Sequence, residues 1–493
     1  MPAGGAIRAQ RLLGGVPALG LLGLFAPSFA QAACLPSNQS IGTSLIGPLL
    51  GDGGNISILP GGSVTGGANG VDLIACGASR LDNAGSLSGT QGIVLGTASA
   101  GTITNSGSIS AGSAGIASGG TIGVLSNSGA ISALGRGAAS GVTNSGTIAT
   151  LTNGGTIRAG GYGVQNSGGL GSVTNTGSIV GGIAGLRNNG GTIGPLANTG
   201  VLSGGAFGIR ATGGAIASVT NGGSITGTRI AIGNDGGAIG AIVNSGTING
   251  YNAIYSTGAG ASIGAITNTG TIRGNIVVQN QDVTIAGGSG ANFGTLTSGA
   301  VTVSDGNLRL TGNQLLDQNV TVRGGAGVVT AQGVLQLATR HTITGDFALS
   351  GGTLDLLASG ASAGQYGGLS VTGAVTLAGG FALDLTDGYL LATGDTFDAI
   401  DGYTGISGNI GSFALNGIAC SSVTASQWMC AGSGSNALIA AVTNGGELDI
   451  VVQSVPEPAS IGLFAAALGL LAWFVPGRRT APGRISRRRR PRS

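Results

Sequence analysis

NTGSIVGGIAGLRNNGGTIGPLA, residues 175–197, is followed by NTGVLSGGAFGIRATGGAIASVT, residues 198–220, and by NGGSITGTRIAIGNDGGAIGAIV, residues 221–243. Set one above another, these blocks keep their asparagine, glycine and aliphatic residues in columns. Ile179, Leu202, Ile225, Ile248 and Ile272 share one offset, and Leu186, Ile209 and Ile232 another. Ile193, Ile216 and Ile239 form a third column, and Leu196, Val219 and Ile242 a fourth. The motif Asn-x-Gly-x-(Ile/Leu) begins at Asn83, Asn105, Asn127, Asn153, Asn175, Asn198, Asn221, Asn244 and Asn268, at intervals of 22 to 26 residues. Further copies at Asn144, Asn166 and Asn189 each stand nine residues ahead of a main one, as a second corner of the same coil would. The extra residues of the single long unit then fall between Asn127 and Asn144.

Each unit holds about three short apolar segments parted by glycine turns. Such segments cannot bury an apolar face alone, but they can when coiled and stacked at about 4.8 Å per layer. The expected fold is therefore all-β, a parallel β-helix. Its unit length resembles the right-handed β-helices of pectate lyases and autotransporter passengers, not the left-handed form built from hexapeptides. The stacked asparagines have a structural reading: Asn tolerates left-handed turn geometry and can hydrogen-bond to the next copy. Repeats span 83–272. From about Asn275 the register is expected to be lost, with 273–454 an irregular continuation and C-terminal cap, and 33–82 a cap on the other end. The stretch Tyr366 to Tyr403 resembles the C-terminal part of autotransporter-like passengers.

Both ends carry targeting signals. Arg8 and Arg11 precede an apolar run from Leu12 to Phe25, and Ala30-Gln31-Ala32 follows as a small-residue cleavage site, so residues 1–32 are expected to be a signal peptide. A lipoprotein reading through Cys34 would need an aliphatic residue where Gln31 stands. At the other end, Val455-Pro456-Glu457-Pro458 cannot form a regular helix or central strand and stays extended. Ile461 to Val475 is then apolar and reads as a transmembrane helix. Arg478, Arg479, Arg484, Arg487, Arg488, Arg489, Arg490 and Arg492 would hold its far side in the cytoplasm. In order and spacing, residues 455–493 resemble the PEP-CTERM sorting signal of Gram-negative bacteria. That resemblance implies an exosortase as partner, transient residence in the inner membrane, and delivery to the cell surface or biofilm matrix, with exopolysaccharide a further partner. A plain single-span anchor, leaving a membrane-bound adhesin, is the alternative.

Without its two ends, the body from Ala33 to Ser454 holds ten arginines, no lysine and 16 acids, a net charge of −6. An acidic body without clustered arginine argues against nucleic-acid binding. Four cysteines in an exported chain favour disulfides, and proximity suggests Cys34 with Cys76 and Cys420 with Cys430, although three pairings are open. A zinc site would need closer Cys or His companions, and His341 is the single histidine.

Catalytic groups are scarce. Between Asn83 and Ile272 stands one acid, Asp235, with Arg136, Arg158, Arg187, Arg210 and Arg229. That is too poor for a lyase groove. Asp384, Asp387, Asp395, Asp398 and Asp401 crowd one later stretch, where a glycosidase pair or a calcium site is conceivable if they converge. Trp428 either packs against the Cys430 disulfide or offers a sugar-stacking platform. We expect no cofactor, no metal and no enzymatic activity, with a carbohydrate-active β-helix enzyme as the rival reading.

Overall fold

The computed structural model describes residue 34 and residues 36–453, apart from 136, 325–326, 432–435 and 445. These residues contain strands and no helix, wound into a parallel β-solenoid of about 15 turns. At about 4.8 Å per layer the stack is about 70 Å long. The signal-peptide residues Ala30 and Ala32, the Val455 to Pro458 motif, the expected transmembrane helix and the arginine tail lie outside the described residues.

Apolar columns become the core because parallel pairing sets each unit directly on the one before. Thr192–Asn198 lies between Gly169–Asn175 and Ala215–Asn221, with Leu196 opposite Val173 and Val219. Ile179, Leu202, Ile225, Ile248 and Ile272 stack with at most 1 % exposure each. One core of such residues runs from Leu49 to Val452.

At the corner, nine asparagines replace the aliphatic residue with a buried polar column. Nδ2 of Asn83 donates to Oδ1 of Asn105 at 2.7 Å, and the same bond repeats from Asn105 to Asn127, Asn127 to Asn153, and on to Asn268. Each Nδ2 also reaches a carbonyl of the coil above, as Asn175 does to Val201 at 3.0 Å. The ladder asparagines do not take up left-handed backbone. Positive φ among non-glycine residues falls at Asn280, Ser298, Asp305, Asp387 and Asn416, so the ladder rests on side-chain bonding. Glycine follows two residues later because of close approach: a Cβ on Gly200 would lie 2.0 Å from the carbonyl oxygen of Gly177, and one on Gly223 2.2 Å from that of Gly200.

A second, shorter ladder joins Asn144, Asn166 and Asn188. The corner residue is thus Asn188 and not Asn189, whose exposed amide oxygen accepts from Arg187 and Thr212. Two consecutive asparagines made the motif ambiguous by one position, and the inward-facing one is set by the pairing of Asn188 with Asn166. The long unit carries its extra residues between Ala133 and Ser140, inside the expected interval, where the next coil has only Gly160 and Gly161 between Ala159 and Tyr162.

Register persists beyond Asn275; the constant repeat length is what disappears. Ile272, Leu296 and Leu316 stay in one column, as do Leu337, Leu356, Leu383 and Leu415, with 19 residues between the closest neighbours of the second set and 32 between the furthest. Loops absorb the difference. Coiling also starts earlier than the asparagine motif, since Gln39–Ile41 pairs with Asn55–Ile58 and that strand with Ala78–Asn83. Ile58 holds the corner position there, directly below Asn83, which hides these coils from the motif.

The two ends differ. Among the described residues, Gln39–Ile41, Ser44–Ile46 and Leu49–Leu50 have a strand above them and none below. At the far end the chain turns antiparallel through Ser421–Thr424, Gln427–Ala431, Asn436–Asn444 and Glu447–Gln453, and the last of these closes on Thr396–Asp401. Cys34 is bonded to Cys76 and Cys420 to Cys430, the pairings that proximity suggested.

The ladder makes a graded prediction. Asn175→Ala removes two Asn–Asn bonds and strands a buried amide donor and acceptor, which costs about 2–3 kcal/mol. Asn83 has no Asn below it and its Oδ1 is unpartnered, so Asn83→Ala breaks one such bond and costs less. Chemical-denaturation midpoints of the two variants test this order; equal losses would remove the ladder from the account of stability.

Candidate functional site

The five aspartates of 384–401 separate into several environments. Asp387 sits at a turn with φ of 53°, and Asp395 accepts from the Ala392 amide and the Tyr389 hydroxyl within its own loop. Asp384 lies near Asp355, a buried carboxylate held by the Gln336 amide at 2.8 Å. Asp398 and Asp401 do meet, because Thr396–Asp401 runs beside the strand that carries Arg340 by way of Gly368–Val371. The Arg340 guanidinium bridges Asp398 at 3.0 Å and Asp401 at 2.8 Å. It also donates to the Asp398 carbonyl oxygen.

Antiparallel pairing sets Asp449 opposite Asp398 and Glu447 opposite Asp401, so four acids gather at the base of the cap, two of them in contact with Arg340. Like charges opposite each other destabilise a sheet. Burial raises the Asp398 carboxyl to about 6; Arg340 opposes this, and the charges of Asp401 and Asp449 add to it. Asp449 is raised by burial and by Glu447. Burial likewise lifts Asp355 to about 6, with Gln336 opposing and Asp384 adding. A glycosidase needs two carboxylates facing across room for a sugar and a water. Here the space between Asp398 and Asp401 is filled by a guanidinium. Among the described residues, no group of three or more His, Cys, Asp or Glu side chains is arranged to hold a metal ion.

His341 is nearly buried, and burial depresses its pKa against the pull of Asp317. Thr339 Oγ1 stands 3.0 Å from Nε2 and Asp317 Oδ1 3.7 Å from the same nitrogen. A nucleophile–base–acid relay needs partners on opposite ring nitrogens. This arrangement has both on one. Trp428 is 2 % exposed and stacks on Phe413 with ring centroids 5.6 Å apart, so its face is already covered. A cavity of about 320 Å³ opens beside it, bordered by Ile406, Asn409, Ser426, Thr443 and Leu448.

The lateral wall of the regular coils holds a cluster that the sequence reading passed over. Tyr162–Asn166, Ala184–Asn189, Phe207–Thr212, Ile230–Asp235 and Thr247–Thr257 form consecutive layers, with Arg187 directly below Arg210. Arg187 lies 5.1 Å from the Tyr162 ring centroid and Arg210 lies 4.7 Å from that of Phe207. The signal for it in the sequence is the 23-residue spacing of Arg187 and Arg210, one unit length, which a count of arginines hides and an alignment of units reveals.

Comparison of the chain with protein-family models, with curated proteins and with solved structures finds no match in any of the three.

Asp355 and Asp398 hold protons in the folded chain between the ordinary aspartate value of 3.8 and about 6, where the unfolded chain has released them. Their contribution to stability therefore falls as pH rises through that window and is constant above it. His341 works in the opposite sense, so the effect is read as a difference between chains. The stability of Asp355→Asn/Asp398→Asn relative to the native chain is expected to shift in the variant's favour from about pH 5 to about pH 7. Denaturation midpoints at the two pH values measure it; a pH-independent difference would show that neither carboxyl titrates in this range.

Proposed function

We propose that the chain is an exported, non-enzymatic surface or matrix protein whose working part is the rod itself. The observation that carries this reading is an uninterrupted stack of about 15 turns, tied by a disulfide near each end. Disulfides persist in oxidising compartments, which supports an extracytoplasmic location. Right-handed winding is the sense that parallel crossover connections strongly favour. A long stack with a polar surface suits adhesion or packing within a biofilm matrix. The separation of the five aspartates, and the arginine between the two that meet, favour this reading over a polysaccharide lyase or hydrolase.

Export would use residues 1–32, cleaved after Ala32. Sorting would use Pro456-Glu457-Pro458, the apolar helix Ile461 to Val475 and the arginine tail, with an exosortase removing the tail and releasing the body from the inner membrane of a Gram-negative cell. The last described strand, Glu447–Gln453, closes the cap immediately ahead of this signal, so cutting there would leave the rod whole.

Peptide and intact-mass spectrometry of protein recovered from the native cell surface and medium tests the route. A chain beginning at Ala33 and ending near Pro458, with no peptides from Ile461 to Ser493, is expected. Retention of the arginine tail on the recovered protein would replace sorting with permanent membrane anchoring.

A further inference from the structure

Gly233 ends the arginine column on the lateral wall. It stands in register above Arg210 and below Tyr255, so one coil presents no side chain where its neighbours present a guanidinium and a phenol. The result is a notch of about 320 Å³ walled by Phe207, Arg210, Ile230, Asp235 and Tyr255. Gly233 has no positive φ to require glycine, and a Cβ there would lie 3.2 Å from Ile230 Cγ2 and 3.7 Å from the Phe207 ring. Any longer side chain would fill the notch.

We propose that this notch binds a carboxylate-bearing sugar ring of an acidic polysaccharide laid along the rod. Among the described residues, Arg210 has no carboxylate in ion-pair contact, so its fork of donors is free for a planar anion. Phe207 and Tyr255 supply apolar ring surface beside it. Asp235, the sole acid of the repeat region, lines the notch one coil above Arg210 and can accept from sugar hydroxyls. Arg187 repeats the guanidinium one coil below, about 4.8 Å away along the axis. Tyr162 and Asn189 hold its Nη1 and Nη2 in place, at 3.0 Å to the Tyr162 hydroxyl and 3.1 Å to Asn189 Oδ1, so it adds fixed positive charge below the notch while Arg210 supplies the free donors. The two guanidiniums stand in adjacent layers one pitch apart, a spacing that suits a polymer with one carboxylate per ring. An acidic peptide fits less well, since an oligoglutamate side chain brings no hydroxyls for Asp235 to accept from and no ring to lie against Phe207 and Tyr255.

The site extends the surface role proposed above and can fail separately from it, because binding is read in solution and export from the mature termini. Calorimetric titration of the purified full chain with an oligogalacturonate, its fully methyl-esterified form and an oligoglutamate peptide decides the matter. The free acid is expected to bind, and the ester to bind at least about tenfold more weakly, the usual cost of losing a charged hydrogen-bonding partner. Arg210→Gln should weaken binding by a similar factor, and Gly233→Leu should abolish it. Both variants are first checked for native circular dichroism; if Gly233→Leu does not fold, Arg210→Gln and the ester still decide. Equal affinity for acid and ester, an unaffected Arg210→Gln, or no binding of the free acid would overturn the proposal. Oligoglutamate binding as tightly with the same Arg210 dependence would overturn it in favour of an acidic peptide.

Discussion

Parallel coils at one backbone spacing must repeat the same path, and the corner is where that demand is strictest. There the chain turns with a carbonyl oxygen about 2 Å from where the next coil's Cβ would stand, so glycine is required by contact. A polar side chain turned inward at the same corner has to find all its partners inside. Asparagine meets both halves of the demand, since its oxygen faces the coil below and its nitrogen the coil above. Every bond in the main ladder points the same way, from lower Nδ2 to upper Oδ1, so neighbouring amides polarise one another. The unpartnered Oδ1 of Asn83 is the unavoidable end of such a chain.

The rest follows from devoting one residue per turn to that corner and a few more to the core. The remaining positions face outward and carry few charges, with charged residues only 8 % of the chain. Where acids do gather, they sit at the antiparallel cap around Arg340, and burial, with their crowding added, raises the Asp398 carboxyl. Cap and coil thus divide the electrostatics: a nearly neutral regular wall with a small cationic column, and an acidic terminus. The wall is where a ligand can be sensed by a few groups without competition from neighbours.

Much of this was legible beforehand. Repeats with constant spacing reveal which residues share a column, and the four aliphatic columns read from the blocks are the stacked core. The cysteine pairs followed from proximity. Four features were hidden for identifiable reasons. The first coils use Ile58 where later ones use asparagine, so they lack the signature while keeping the geometry. Asn188 and Asn189 are adjacent, and only the alternation of inward and outward side chains tells them apart. Register after Asn275 survives changes in coil length because loops at the corners absorb them, and spacing alone cannot see that. The grouping of Asp398, Asp401, Asp449, Glu447 and Arg340 depends on a strand returning antiparallel from 50 residues away, which no local pattern announces.

Each ladder coil receives an acceptor's partner from below and hands the same donor upward, and the glycine contact is identical at every junction. A whole coil can therefore be removed or duplicated without changing the interfaces that remain, whereas a shift of one residue would turn every corner amide outward. The length of the rod is in this sense quantised: recombination between units can lengthen or shorten it in steps of one turn while both ends stay as they are. A notch seated on three consecutive coils would travel with them as a cassette, so reach and recognition can vary independently within one architecture.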